Sequence, residues 1–527
     1  MEGTEQELAR IDLVIIVIYM AGIFGMGTYF AKYVKGAGDF FVAGKSLPFW
    51  AIGMSVVVSD IGATDFIATA GAGYEYGVSA ANFDWIGSMP AMVFAAFIFI
   101  PYYWRAGVFT IPEFLGRRYN SAVQIIHGAI WGIFLITMLA VMLWLTAQML
   151  ETILQREFAF TLVGYEVNGY VWLIVAITGI YTISGGLSAV VLTDVVQLIV
   201  MFVGGFALFV LSMWEVGGWG GLQEKVLAMG PEYEEHFTML LPHDTDKPYP
   251  WTGIVFGLGI VMATGYMAGN QAIVQRTLGA RSEWDAKAGM LFAGFLKVFI
   301  PLLVIMPGLA AIVLAPDLEN GDQAVPTMIR ELLPPGLRGL MFVALFAALM
   351  SSVDSYLNSA STIWTTDLYG SFIRLTRGES LSERHALFVG RLFTGIFIII
   401  AGFTAPLLEG RDTMYNFIQT ALSMFQGPVF AILLLGIMWR RTTQWGGLAG
   451  LILGVACTTI LHNTEDVFPS DDPFLFVAWW SFIFSLAVTV IVSLLTPQDP
   501  DEKVRGLIFG QVIQDGEVQR VLRERTE

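Results

Sequence analysis

Runs of roughly 20 apolar residues recur along the whole chain, and no other feature restricts its fold so tightly. Inside a bilayer no water satisfies backbone N–H and C=O groups, so segments of this length and composition are helices. About thirteen windows qualify, near 12–31, 46–72, 85–103, 123–149, 159–181, 188–213, 251–271, 288–315, 338–365, 386–408, 413–438, 444–462 and 474–496. The chain is 56% hydrophobic and only 14% charged, where a soluble protein carries about 25% charged residues. We therefore expect an all-α integral membrane protein. The polar stretches 214–250, 316–337 and 497–527 are each too short to build a core of their own. The single cysteine, Cys457, lies in an apolar run, which excludes a disulfide framework and a thiolate metal centre. Residues 1–11 are acidic, with no basic region and no small-residue cleavage site, so no removable signal peptide is expected.

Loop charge alternates along the chain. Lys32, Lys35 and Lys45 follow the first window, and Arg105, Arg117 and Arg118 the third. Arg276, Arg281 and Lys287 follow the seventh, Arg374, Arg377, Arg384 and Arg391 the ninth, and Arg440 and Arg441 the eleventh. The intervening loops are acidic, as at Glu232, Glu234, Glu235, Asp244 and Asp246. Lys/Arg-rich loops stay in the cytoplasm, so the N terminus is expected outside and the C terminus inside, in a multi-pass cell-membrane protein. The net charge of −16 sits largely in outward loops and in the tail, and no nucleic-acid partner is expected. Many of the 15 tryptophans and 17 tyrosines stand at window ends, as interfacial anchors do.

Polar residues inside the windows carry the functional signal. The ninth window holds Ser351, Ser352, Asp354 and Ser355 near its middle. Ser351, Ser355 and Asn358 follow i, i+4, i+7 and share one helix face. Hydroxyls beside a carboxylate at membrane depth are costly unless they bind something, and hard oxygen ligands suit a small cation such as Na⁺. The second window crowds Ser59, Asp60, Gly62, Thr64 and Asp65 at its centre, which favours a broken helix with free carbonyls. The seventh has a similar interruption from Ala263 to Gln271. Paired interruptions five windows apart point to a midplane site in an inverted-repeat transporter. The ionisable residues within or at the ends of windows are Asp60, Asp65, Asp84, Asp194, Lys297 and Asp354. Each has a plainer role: a helix-end carboxylate for Asp194, a neutralising charge for Lys297, a solvated cap for Asp84, and back-bonding hydroxyls for Ser351 and Ser352. The five histidines share no metal-ligand spacing, and there is no nucleophile elbow and no phosphate-binding loop, so neither an enzyme nor an ATP-driven pump is expected.

Several stretches resemble the sodium/solute symporter family, the group of the sodium/glucose cotransporters. They are Ser59-Asp-Ile-Gly62, Phe83-Asp-Trp85, Ala106-Gly-Val-Phe-Thr-Ile-Pro-Glu-Phe-Leu115, Gly185-Gly-Leu-Ser-Ala-Val-Val-Leu-Thr-Asp194, Asn270-Gln-Ala-Ile-Val-Gln-Arg-Thr-Leu278 and Ser351-Ser352. The likeness covers about residues 12–496. It implies a LeuT-type five-plus-five inverted repeat. On this chain that gives a leading helix and loop in 1–45, a transport core in 46–438, two peripheral helices in 439–496 and a cytoplasmic tail in 497–527. It implies a main Na⁺ site at Val58, Ile61, Ala348, Ser351 and Ser352. It also implies a second cation site at Asp194, Ser351, Asp354 and Ser355. Family members often have serine where this chain has Asp354, a departure that would strengthen the second site or make it a proton site.

The resemblance to the sugar-transporting branch implies substrate contacts at Asp60, Asp65, Asp84, Tyr266, Met267, Lys297 and Gln419. Asp60 replaces an amide expected in that branch, Asp65 a neutral or imidazole group, and Met267 an aromatic. The reading is an Na⁺-coupled symporter importing a small polar solute, a monosaccharide or polyol, with Na⁺ and the lipid bilayer as its other partners. An amine, amino acid or other zwitterion is the alternative solute, because it would explain the two extra carboxylates. A channel or a solute sensor is the rival class. A channel needs a continuous polar lining, whereas the polar patches here are isolated; a sensor needs a signalling domain, which a tail of about 31 residues cannot hold.

Overall fold

The computed structural model describes residues 9–32, 36–62, 65–154, 156–162, 165–409, 414–464, 467–469 and 473–511, and is almost entirely helical. Its principal helices are α1 (Arg10–Ala31), α2 (Phe49–Asp60), α3 (Ala70–Tyr76), α4 (Ser121–Leu154), α5 (Gly169–Val216), α6 (Gln271–Leu278), α7 (Glu283–Lys297), α8 (Leu337–Ile363), α9 (Glu383–Thr404), α10 (Met414–Met438), α11 (Gln444–His462) and α12 (Phe474–Leu495). Among the described residues, seven helices are long and apolar enough to cross a membrane, or ten when each of three bent pairs is one span. Shorter apolar helices, Phe49–Asp60 and Gly169–Gly179, account for two more of the expected windows, and α1 for the first.

The windows misjudge several boundaries, since the fifth and sixth join in one helix, α5, and the ninth runs on helically to Arg377. The one beginning near 159 opens with a two-stranded antiparallel hairpin, β1 (Ala159–Leu162) against β2 (Tyr165–Asn168), and the helix starts only at Gly169. Asn168 ends the hairpin and caps the helix, its side chain accepting from the N–H groups of Tyr170 and Val171. An apolar run does not by itself separate a short strand from the start of a helix.

Both expected interruptions are present. α2 ends at Asp60, and Ile61 leaves the helical region with φ −96° and ψ 80°. The helical path resumes from Asp65 through one π-helical turn into α3. The seventh window runs helically to Gly269, breaks at Asn270 and resumes as α6, bent by 51°. The Asn270 side chain satisfies a freed donor, accepting from Ala272 N–H at 2.8 Å. A third bend, of 40°, follows Lys297, just before Pro301 in the first turn of the next helix.

α8 is the hub. It is buried almost throughout and lies between α4, α5 and α9. α2 packs on α7 so closely that a Cβ at Gly53 would lie 2.8 Å from the Gly289 carbonyl oxygen. The Phe49 N–H also donates to Asp285 Oδ1 at 3.0 Å, pinning the start of α2 to α7. α10, α11 and α12 pack together at one side.

Candidate functional site

The break after α2 sets out the first part of the site. A helix that stops leaves its last carbonyls without intrahelical donors. Asp60 is the last residue of α2, so its side chain projects from the break. Lys297 is the last residue of α7, at the 40° bend. Asp84 sits in the helical turn Phe83–Ser88. The three meet: Lys297 Nζ lies 2.6 Å from Asp60 Oδ2 and 2.7 Å from Asp84 Oδ1. Lys297 is 3% exposed and Asp84 8%. Asp84 is therefore not a solvated cap but one arm of a buried bridge.

Beside this bridge is a cavity of about 120 Å³. Asp60, Asp84, Lys297, Tyr266, Met267 and Gln419 all line it, which brings together six of the seven expected substrate residues. The side chain of the seventh, Asp65, lies outside the described residues. Tyr266 bonds through its hydroxyl to Tyr356 at 2.9 Å, so a pair of phenols borders the cavity. Sequence reasoning missed Tyr356, Thr69 and Ser88, which also line it. Tyr356 had a signal, since it stands one turn beyond Ser352 on the same helix. Two carboxylates share the one ammonium. Each carboxylate has more lone pairs than the ammonium engages, and these can accept from solute hydroxyls.

Deeper along α2 and α8 lies a cluster of hydroxyls. Ser352 Oγ donates to the Ser59 carbonyl at 3.3 Å, and the hydroxyls of Ser59 and Ser351 are 3.0 Å apart. Ser355 Oγ donates to Ser59 Oγ at 2.9 Å. Val58, Ile61, Ala348, Ser351 and Ser352 are all fully buried. The residues expected at the main Na⁺ site therefore belong to two helices that touch, one of them at its broken end. Backbone carbonyls and hydroxyls form a neutral set of hard oxygens, and that chemistry fits Na⁺.

Of the residues expected at a second cation site, Asp194, Ser351 and Ser355 belong to one hydrogen-bonded network, and a side-chain cation lies within it. The Arg276 guanidinium is 3.2 Å from Asp194 Oδ2, and neither side chain has any exposed surface. Arg276 also donates to the hydroxyls of Ser55, Ser59 and Ser355. Ser55 donates to Asp194 as well. Asp354 accepts from Thr182 on α5. Sequence reasoning placed Arg276 among the basic loop residues; it lies instead on α6, immediately past the break at Asn270, and is wholly buried. Arg118, also counted as a loop charge, is buried too and donates to the carbonyls of Gly436 and Thr442. Neither is legible from charge counting, because the windows end where the hydropathy falls and not where the protein meets water.

The sodium:solute symporter family model matches residues 40–454. A sodium/glucose cotransporter of Vibrio parahaemolyticus is 32% identical, over 95% of this chain and 93% of its own length.

The chain belongs to the sodium:solute symporter family.

Sodium/glucose cotransporter 1 of Oryctolagus cuniculus is 31% identical over 95% of this chain and 81% of its own length. A sodium/myo-inositol cotransporter of Bos taurus is also 31% identical, over 95% of this chain and 75% of its own length. Among solved structures, the substrate-bound outward-open Na⁺-coupled sialic acid symporter superposes with a TM-score of 0.77 at 22% identity, covering 93% of this chain and 99% of that one. A nucleobase-cation-symport-1 family transporter superposes with a TM-score of 0.56. The fold is thus the LeuT-type inverted repeat of Na⁺ symporters, and the protein is a multi-pass, Na⁺-coupled transporter and not an enzyme.

Proposed function

We propose that this symporter imports a small polyhydroxylated solute, a monosaccharide or polyol, with Na⁺. The observation that carries this reading is the cavity where Lys297 bridges Asp60 and Asp84 beside Tyr266 and Gln419. Ammonium, carboxylate, amide and phenol together offer donors and acceptors around one polar space, which a neutral polyol needs. A site built to bond hydroxyls rejects analogues lacking them, because its buried polar groups are then left unpaired. The relatives named for glucose and myo-inositol support the same class. The surplus carboxylate favours the second reading, an amine or zwitterion held by Asp60.

Na⁺ binds at Val58, Ile61, Ala348, Ser351 and Ser352 and joins the broken end of α2 to α8. That order completes the solute cavity from outside. Rocking of the core, residues 46–438, against the flanking helices then opens both ligands to the cytoplasm. Each inward charge gains about 2.3 kcal/mol per 100 mV. A second Na⁺ reaches Asp194, Ser351, Asp354 and Ser355 only when Arg276 swings away. The N terminus is outside and the tail 497–527 cytoplasmic. In a chain lacking Cys457, an impermeant thiol reagent added outside labels Thr4→Cys and leaves Arg520→Cys untouched; the opposite pattern overturns the orientation.

A thermal-shift screen of sugars, polyols, amino acids and amines, with and without Na⁺, tests the solute class. Stabilisation by a sugar or polyol that requires Na⁺ is expected, lost in Asp84→Ala and retained in Asp60→Asn. Ser352→Ala is expected to raise the Na⁺ concentration needed for that stabilisation about tenfold or more, since it removes one oxygen ligand. Na⁺-dependent stabilisation by amines alone, abolished by Asp60→Asn, would sink the polyol reading. An unchanged Na⁺ curve in Ser352→Ala would move the ion elsewhere.

A further inference from the structure

A second cavity, of about 210 Å³, opens beyond the outer half of the first core span, away from the solute and Na⁺ residues. Its polar lining is Gln148, Glu151 and Thr152 at the end of α4, and Asn320, Asp322 and Gln323 in the loop before α8. Asp322 is 8% exposed, and its Oδ1 has no hydrogen-bond partner among the described residues. The carboxyl accepts from the backbone N–H of Met414. Its loop rests against α3: a Cβ at Gly71 would lie 2.8 Å from the backbone carbon of Gly321 and 2.9 Å from Asp322 Oδ1. Glu75, one turn along α3, brings another carboxylate to the same contact, its Oε1 2.9 Å from where a Gly321 Cβ would stand. Glu151 is already engaged on one side, accepting from Asn168 Nδ2 at 2.7 Å. Among the described residues, the charged group that acts on Asp322 is Glu75 on α3, and Glu151 on α4 lines the same cavity; both are acidic.

A buried carboxylate facing acids, with an unpaired oxygen, is costly unless a positive charge joins it. We propose that this cavity is a cation site, in which a partly hydrated monovalent cation such as Na⁺ sits between Asp322 and Glu151 and holds the loop 320–323 on α3. Carboxylate, carboxamide and hydroxyl oxygens are ligands for a hard cation. The volume leaves room for several waters beside the ion. No three acidic, imidazole or thiol groups gather closely enough among the described residues for a dry metal centre, so the ion keeps part of its water shell. Burial, and then the Glu75 carboxylate, push the Asp322 acid up to about 7. A proton therefore competes for the same oxygen, and cation binding here strengthens as pH rises through about 7.

Equilibrium binding of radioactive Na⁺ to the purified full chain, on either side of pH 7, tests this. At the higher pH the native chain is expected to bind one Na⁺ more than Asp322→Asn, and to lose that one ion at the lower pH. Glu151→Gln keeps an acceptor for Asn168 and is expected to weaken the same ion about tenfold or more. That variant decides the matter if Asp322→Asn does not fold. Native stoichiometry and affinity in the variants would overturn the site. So would a pH step in stability that Asp322→Asn removes while the Na⁺ count stays the same, because the acid then binds only a proton. The readout is a difference of one ion and does not depend on which solute is carried.

Discussion

Arg276→Ala is expected to abolish coupled transport and to destabilise the folded chain by about 3–5 kcal/mol, the usual result of removing one partner of a buried ion pair. The cause is the Asp194 carboxylate, which would stay buried with only neutral hydroxyls, such as those of Ser55 and Ser59, as its donors among the described residues. Arg276 also joins α6 to α2 through Ser55 and Ser59, and to α8 through Ser355. Its loss therefore loosens the broken ends of both interrupted spans at once. Adding Asp194→Asn to Arg276→Ala is expected to recover most of the stability without recovering transport, because the charge is gone but the bridge is not. Denaturation in detergent and solute uptake in vesicles read the two effects separately. If the single variant binds Na⁺ and solute normally, the pair is dispensable. If it instead moves an additional charge per solute, Arg276 is the plug of the second cation site.

Lys297→Met is expected to lower solute binding by roughly 100-fold or more, since it leaves Asp60 and Asp84 facing each other without a cation. Like charges in a buried site do not both stay ionised, so one carboxyl must take up a proton. Residual binding in Lys297→Met should therefore improve at acidic pH, the reverse of a site that needs both carboxylates. Lys297→Met with Asp60→Asn should recover stability and leave Asp84 to accept from the solute alone. Isothermal titration of the preferred solute at two pH values separates these cases. Retention of native affinity in Lys297→Met would mean that the bridge is structural and the solute lies elsewhere in the cavity.

Local pattern was enough for the membrane class, the broken second and seventh spans, and the stripe of hydroxyls at Ser351, Ser352 and Ser355. Each follows from hydropathy, small-residue crowding or helical period, which are properties of neighbours in the chain. The family resemblance added candidate solute residues, and six of them line one cavity. The partners of those residues were not legible. Asp60 and Lys297 are 237 positions apart, and nothing local says that the end of α2 meets the bend after α7. Arg276 reads as a loop charge because it follows an apolar window, yet the break at Asn270 turns α6 inward and buries it. Tyr356 needed the packing of α8 beside the seventh span to be seen as the partner of Tyr266. The hairpin at 159–168 was hidden because a short apolar strand and a helix start look alike in a hydropathy window. The sequence thus determined which segments enter the bilayer and which side chains are too polar to lie there idle. Which of those charges neutralise each other depends on how the helices pack, because a buried ion pair rests on distance through space and low dielectric, and neither is written along the chain.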